Sequence, residues 1–208
     1  MRSLLFLALA LSGAATATPV SYTIDPDHTY PSFDADHMGL SVWRGKFNHT
    51  SGKITLDRAA QTGDVDVTVD VASIDFGNDA LNQVIVKANG PMCKDACGLF
   101  DAARYPQATY RGTLERFVDG APTRVAGKLT LHGVTRPLDL AIDSFKCIPD
   151  FMLKPRERCG ADVHATLNRD DYGIDDGKSF GIKMGVTLHI QVEAVEDVAP
   201  ASAASKSQ

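Results

Sequence analysis

Apolar and polar residues alternate with a period of two over most of the chain. Val65, Val67, Val69 and Val71 are interleaved with Asp64, Asp66, Thr68 and Asp70. Val125, Gly127, Leu129 and Leu131 alternate with Ala126, Lys128, Thr130 and His132, and Leu138, Leu140 and Ile142 with Asp139, Ala141 and Asp143. Val186, Leu188, Ile190, Val192 and Ala194 alternate with Thr187, His189, Gln191 and Glu193. Side chains on a strand point to opposite faces in turn, so each run predicts a strand with one wet and one apolar face. Tyr22–Asp25, Thr29–His37, Val42–Asn48, Lys53–Asp57, Tyr110–Phe117 and Ala161–Asn168 show the same alternation less regularly. The connections carry glycine beside a polar residue, as at Ser51-Gly52, Gly63-Asp64, Asp119-Gly120 and His132-Gly133. Short turns between half-wet strands imply antiparallel neighbours. Eight to ten such strands cannot lie in one open sheet without exposed edges, and closure into a barrel removes them.

One segment departs from this period. Leu81, Val84, Ile85 and Ala88 recur at helical spacing, Asn78 is placed to cap the first turn, and Gly90-Pro91 stops the run, which predicts a helix over 78–89. Such a helix either closes one end of the barrel or packs on the outside of the sheet; the pattern alone fits both. The fold class expected is all-β, an antiparallel barrel of about eight strands with one inserted short helix.

The N-terminus has a different character. Arg2 precedes the apolar run Leu4–Leu11, and small residues follow to Ala15-Thr16-Ala17, the three parts of a cleavable secretory signal. The run is shorter than the roughly 20 apolar residues that span a bilayer. Residues 1–17 are therefore expected to be a signal peptide, residues 18–197 one barrel domain, and residues 198–208, which are small and polar, a disordered tail. Export implies the periplasm once the family below is considered. The net charge of −5, with no basic cluster, argues against nucleic acid and against electrostatic docking on anionic membranes, and no stable membrane insertion is expected. In an oxidising compartment Cys93, Cys97, Cys147 and Cys159 are expected to form disulfides. Three connectivities are open; Cys93–Cys97 with Cys147–Cys159 is favoured because each pair brackets one loop. Redox chemistry and a metal site are the weaker readings, since Cys93-x3-Cys97 lacks the usual redox spacing and the six histidines form no ligand pair.

Several short segments, taken together, resemble the YceI family of bacterial lipid-binding proteins. They are Tyr22-Thr23-Ile24-Asp25-Pro26-Asp27-His28-Thr29, Phe33-Asp34-Ala35-Asp36-His37-Met38-Gly39, Arg44-Gly45-Lys46-Phe47, Ser51-Gly52-Lys53-Ile54 and Ala72-Ser73-Ile74-Asp75. Phe100 to Pro106, Gly127 to Pro137, Asn168 to Ile174 and Val192-Glu193-Ala194 complete the set, which spans nearly the whole chain in order. The resemblance implies a periplasmic lipocalin-like barrel with an elongated apolar cavity for a polyisoprenoid or similar lipid. Two departures stand out: the position before His37, usually basic in such proteins, is Asp36, and the two cysteine loops are not general to the family.

Wider barrels leave room for one molecule, and an interior of Val, Leu, Ile and Phe suits a hydrocarbon chain. The expected cavity wall is Phe33, Val42, Phe47, Ile54, Val67, Val69, Leu129, Leu131, Val186, Leu188 and Ile190. Leu81, Ile85 and Phe100 are candidates for a closing lid. His37, on the face shared with Phe33 and Ala35, is a candidate for the ligand's polar end, and equally for a histidine satisfied at a strand end. No catalytic residue, metal or cofactor is expected beyond a bound isoprenoid lipid or quinone; a homodimer is left open. Two other classes compete: a lipid-modifying or redox-linked enzyme using His37 or the cysteines, and a filled barrel that binds a protein through its surface.

Overall fold

The computed structural model describes residues 18–90 and 98–198. The proposed signal peptide, Cys93 and Cys97, and the tail from residue 199 onward lie outside the described residues. Among those described there are β1 (Val20–Ile24), β2 (Tyr30–His37), β3 (Ser41–Phe47), β4 (Thr50–Asp57), β5 (Thr62–Asp70) and β6 (Ile74–Asp75), followed by α1 (Asp79–Ile85). The chain continues with β7 (Gln107–Val118), β8 (Ala121–Leu131), β9 (Val134–Pro137), β10 (Leu140–Pro149), β11 (Glu157–Asn168) and β12 (Gly185–Glu196). No helix among the described residues is long and apolar enough to cross a membrane.

Hydrogen bonding runs β1-β4-β5-β7-β8-β10-β11-β12, and β12 returns to β1, so eight antiparallel strands close into a barrel. The closing seam pairs Tyr22 with Glu196, Thr23 with Val195 and Ile24 with Ala194. Asp197 fastens it: its backbone N–H donates to Ser21 O, and its carboxylate accepts from Ser21, Thr23 and Lys53. After the turn at 25–29 the chain rejoins β12 as β2, pairing Ala35 with Val186 and Tyr30 with Gln191. β2 pairs β3, and β3 leads into β4. The β2–β3 hairpin thus extends one side of the barrel wall beyond the seam.

The two ends of the barrel are built differently. At the end carrying the β4–β5, β7–β8 and β10–β11 turns, Tyr22, Leu56, Tyr110, Leu114, Val125 and Ala194 pack into a floor. Tyr110 donates its buried hydroxyl to Leu138 O at 2.9 Å. Its ring fills the space beside Gly127, where a Cβ would lie 2.3 Å from the hydroxyl oxygen. The β10–β11 hairpin at this end is held by the Cys147–Cys159 disulfide across directly paired positions, Cα atoms 4.0 Å apart. Beyond it, Asp150 is 2% exposed; its carboxylate accepts from Met152 N, Leu153 N and Arg158, and Arg158 also reaches Asp25 and Glu193.

At the other end a smaller cluster of Val71, Ala108, Leu131, Tyr172 and Ile174 supports the segments that cross the opening. Helix α1 is capped as expected, Asn78 accepting from Leu81 N at 3.1 Å, but it stops at Ile85 rather than at Asn89. The Lys87 N–H turns back to Val84 O instead of an i−4 carbonyl, and the carbonyls of Ile85, Val86, Lys87 and Ala88 then accept N–H groups from Phe100, Ala102, Asp101 and Leu99.

Candidate functional site

The inward residues of a filled barrel should be as buried as those of any core. Here the floor is buried, yet Val65, Val67, Val69, Leu129, Leu188, Ile190 and Val192, which point inward above it, all keep partial exposure. They face an internal cavity of about 530 Å³. Between Val186 and Ala194, its upper and lower wall positions on β12, the strand spans about 26 Å at ~3.3 Å per residue. Tilted as barrel strands are, that is a tunnel roughly 20 Å deep. A small side chain on β11 helps keep it open: Ala161, the inward neighbour of Val163, lies in register between Phe145 and Val192, all on the wall.

The upper third of the tunnel is aromatic. Phe33 packs against Phe47 and Phe76 with ring centroids 5.8 and 5.5 Å apart, Trp43 meets Phe76 edge-on at 6.0 Å, and Phe47 meets Phe100 at 6.0 Å. Gly45 makes room for this group, since a Cβ there would lie 2.6 Å from the Phe33 ring. The His37 ring stacks on Trp43 at 4.0 Å, on the inward face with Phe33 and Ala35. Leu81, Val84 and Ile85 turn the apolar side of α1 onto the cavity, so the helix closes one end and does not pack outside the sheet.

Polar groups gather at this end. The Arg169 guanidinium donates to the carbonyls of Ile174 and Asp176 at 2.9 and 2.8 Å, and burial lowers its pKa against the pull of Asp176, Asp170 and Asp175. Burial likewise raises the pKa of the Asp176 carboxyl. Oδ1 of Asp176 and Oγ1 of Thr50, both on residues of the cavity wall, are buried without a hydrogen-bond partner among the described residues. Asp36 accepts from Gly39 N and Lys183 N, both at 3.2 Å, which ties the β2–β3 hairpin to the segment before β12. At the opposite end, Asp25, His28 and Glu193 do converge, but Arg158 stands among them.

Every residue expected on the wall or lid lines this cavity except Val42. Val42 is 48% exposed on the outer face. The register pairs Ala35 with Trp43 and Asp36 with Val42, so Trp43 shares the inner face with Gly45 and Phe47. Alternation counted back from Phe47 leads to Trp43, and that was the signal to follow. Phe145 was hidden for another reason: a bulge between Ile142 and Ser144 shifts the parity of β10, which turns an odd-numbered residue inward after Leu140 and Ile142. Phe76, Ile182, Arg169 and Asp176 come from irregular segments where no period exists to read.

The YceI-like domain family matches residues 22–194. The chain belongs to this family. It is 31% identical to the YceI protein of Escherichia coli O6:H1 over 144 residues, covering 67% of this chain and 70% of that one. The YceI protein of Campylobacter jejuni has the same fold, with a TM-score of 0.60 at 21% identity over 94% of this chain and all of that one. A polyisoprenoid binding domain from Saccharophagus degradans, implicated in plant cell wall breakdown, aligns with a TM-score of 0.59 at 17% identity over 86% of this chain and 99% of its own. The resemblance drawn from the short motifs is therefore correct for the family, and the lipocalin-like antiparallel barrel with it.

Proposed function

We propose that this YceI-like protein is an exported carrier or store for a long apolar lipid of the isoprenoid type, a polyprenyl chain or a quinone. One observation carries the reading: a tunnel walled almost wholly by aliphatic and aromatic side chains, closed by a packed floor, with its charged groups confined to the other end. Its volume is within the range of small-molecule sites. Each five-carbon unit withdrawn from water contributes roughly 3–4 kcal/mol at ~0.8 kcal/mol per CH₂. A few units therefore suffice for tight binding, and ordering costs keep the total below simple addition. His37, Arg169 and Asp176 stand where a polar end group would emerge. The protein acts by sheathing the lipid, not by converting it. The polyisoprenoid binding domain that shares the fold supports the ligand class, and the positive-apolar-small N-terminal pattern supports delivery to the periplasm.

The test is to purify the full chain from its own compartment, extract it with organic solvent and analyse the extract by mass spectrometry. A long hydrocarbon with prenyl spacing is expected, with quinone absorbance distinguishing the two ligand types. Repeatedly clean extracts, together with no rise in melting temperature on adding a polyprenol, would remove the proposal.

A further inference from the structure

The wall is not equally covered around the open end. On the β5, β7 and β8 side the closing segments bury Val71, Leu99 and Leu131. On the side bounded by the β2–β3 hairpin, α1 and the stretch before β12, the wall residues His37, Trp43, Phe76, Leu81 and Ile182 all remain partly exposed. This is the mouth of the tunnel. Immediately outside it stand large apolar side chains in water: Met38 at 49% exposure, Leu40 at 80% and Val42 at 48% on the hairpin tip, and Phe180 at 58% on the facing turn. The Asp36–Lys183 hydrogen bond holds these two segments together. Met38 and Gly39 both adopt positive φ, so the turn is tight and projects its neighbours outward. Apolar surface thus runs from the tunnel wall, over the His37–Trp43 stack, onto the exterior.

We propose that this collar docks the mouth on a phospholipid bilayer, from which the ligand enters without crossing water. The inference rests on the carrier reading and adds the route of loading. The four side chains leave on the order of 400 Å² of apolar surface exposed, enough to mark an interaction site. That is about half of the roughly 800 Å² per partner that a stable protein interface takes, which disfavours a second copy of the chain. A bilayer needs only a shallow apolar tip. Arg44, Lys178 and Lys183 stand around the rim, but Arg44 and Lys178 are paired with Asp34 and Asp170 and Asp36 lies beside Lys183, so the docking contact is apolar rather than electrostatic. The other exposed apolar tip, Phe151-Met152-Leu153, lies at the floor end, where no mouth exists, and serves as an internal control.

The full chain, stripped of lipid, is mixed with vesicles of phosphatidylethanolamine and phosphatidylglycerol carrying a fluorescent polyprenol, and the rate of probe transfer is followed. The wild-type rate is expected to rise with vesicle concentration. Leu40→Asp and the double variant Met38→Asp/Leu40→Asp should slow transfer roughly tenfold, equivalent to ~1.4 kcal/mol. Met152→Asp should transfer at the wild-type rate, and all four proteins should reach equal occupancy when the probe is delivered from detergent. Wild-type rates in the collar variants, equal slowing by Met152→Asp, a rate independent of vesicle concentration, or loading only in the presence of a second protein would each overturn the collar. A wild-type chain that takes no probe even from detergent would overturn the carrier reading as well, which separates the two failures.

Discussion

Ala161→Phe gives opposite results in a hollow and a filled barrel. Ala161 points inward from β11, keeps partial exposure and lies on the cavity wall between Phe145 and Val192, while its neighbour Asp162 is exposed outside. A benzyl group added there enters open volume. Removing it from water contributes about 1–2 kcal/mol once the lost rotamer freedom is deducted. For a domain of this size that raises the melting temperature of the lipid-free protein by roughly 2–8 °C. The same ring occupies the place of about one prenyl unit, worth roughly 3–4 kcal/mol, so polyprenol affinity should fall between tenfold and a thousandfold. The assay pairs calorimetric melting of delipidated wild type and variant with the same melts after adding polyprenol. The variant should begin higher and gain less. Were the interior solid, the ring would overpack it at a cost of about 1–3 kcal/mol. A lowered melting point with undiminished lipid response would refute the tunnel.

Other consequences follow from the frame around the tunnel. Opening the Cys147–Cys159 bridge, by Cys147→Ser/Cys159→Ser, should cost about 3 kcal/mol on the loop-entropy argument, read as a lower urea midpoint with a slope no smaller than that of the wild type. Hydrogen bonds from Lys53, Thr23 and Ser21 hold the Asp197 carboxyl at about 2, below its ordinary 3.8. A depressed carboxyl stabilises the fold above its unfolded pKa, so the seam's contribution is complete above about pH 4 and fades as pH falls toward 2. Asp197→Asn should flatten the fall of melting temperature over that window, and an unchanged slope would show the clasp to be idle. Gly127→Ala would set a Cβ 2.5 Å from the Tyr110 ring and 2.7 Å from the Arg111 carbonyl, displacing the ring and its hydrogen bond to Leu138 O, and should lower stability by about 1–3 kcal/mol, read as a lower urea midpoint.

Period-two alternation made the barrel strands readable because each separates a wet outside from a dry inside, a constraint that acts on every second residue. It also placed the wall correctly wherever parity was counted without a break, as from Phe33 to His37 and from Val186 to Ala194. It failed at Val42, where hydrophobicity outweighed parity: the residue is apolar but one step out of phase with Phe47, and Trp43 holds the inner position. It failed again after Ile142, because a bulge inserts one residue without leaving a compositional mark. The end of α1 was not legible either. Residues 86–89 continue the helical spacing, yet the carbonyls of 85–88 pair with 99–102, a contact that local pattern does not contain. β6 and β9 were not anticipated; two and four residues are too few to show a period. Arg169 and Asp176 acquire their meaning only when the fold brings separate turns to one rim.

Helix α1 has no fully buried residue. Its apolar side rests on the tunnel, so the polypeptide fastens the helix chiefly by its cap, by Asn82, whose side chain accepts from Phe76 N and donates to Asp75, and by the bond from Phe100 N to Ile85 O. A bound chain would supply the packing partner that the polypeptide itself omits. A bound lipid would then finish the folding of its own lid, and amide exchange rates in α1 would report how full the tunnel is.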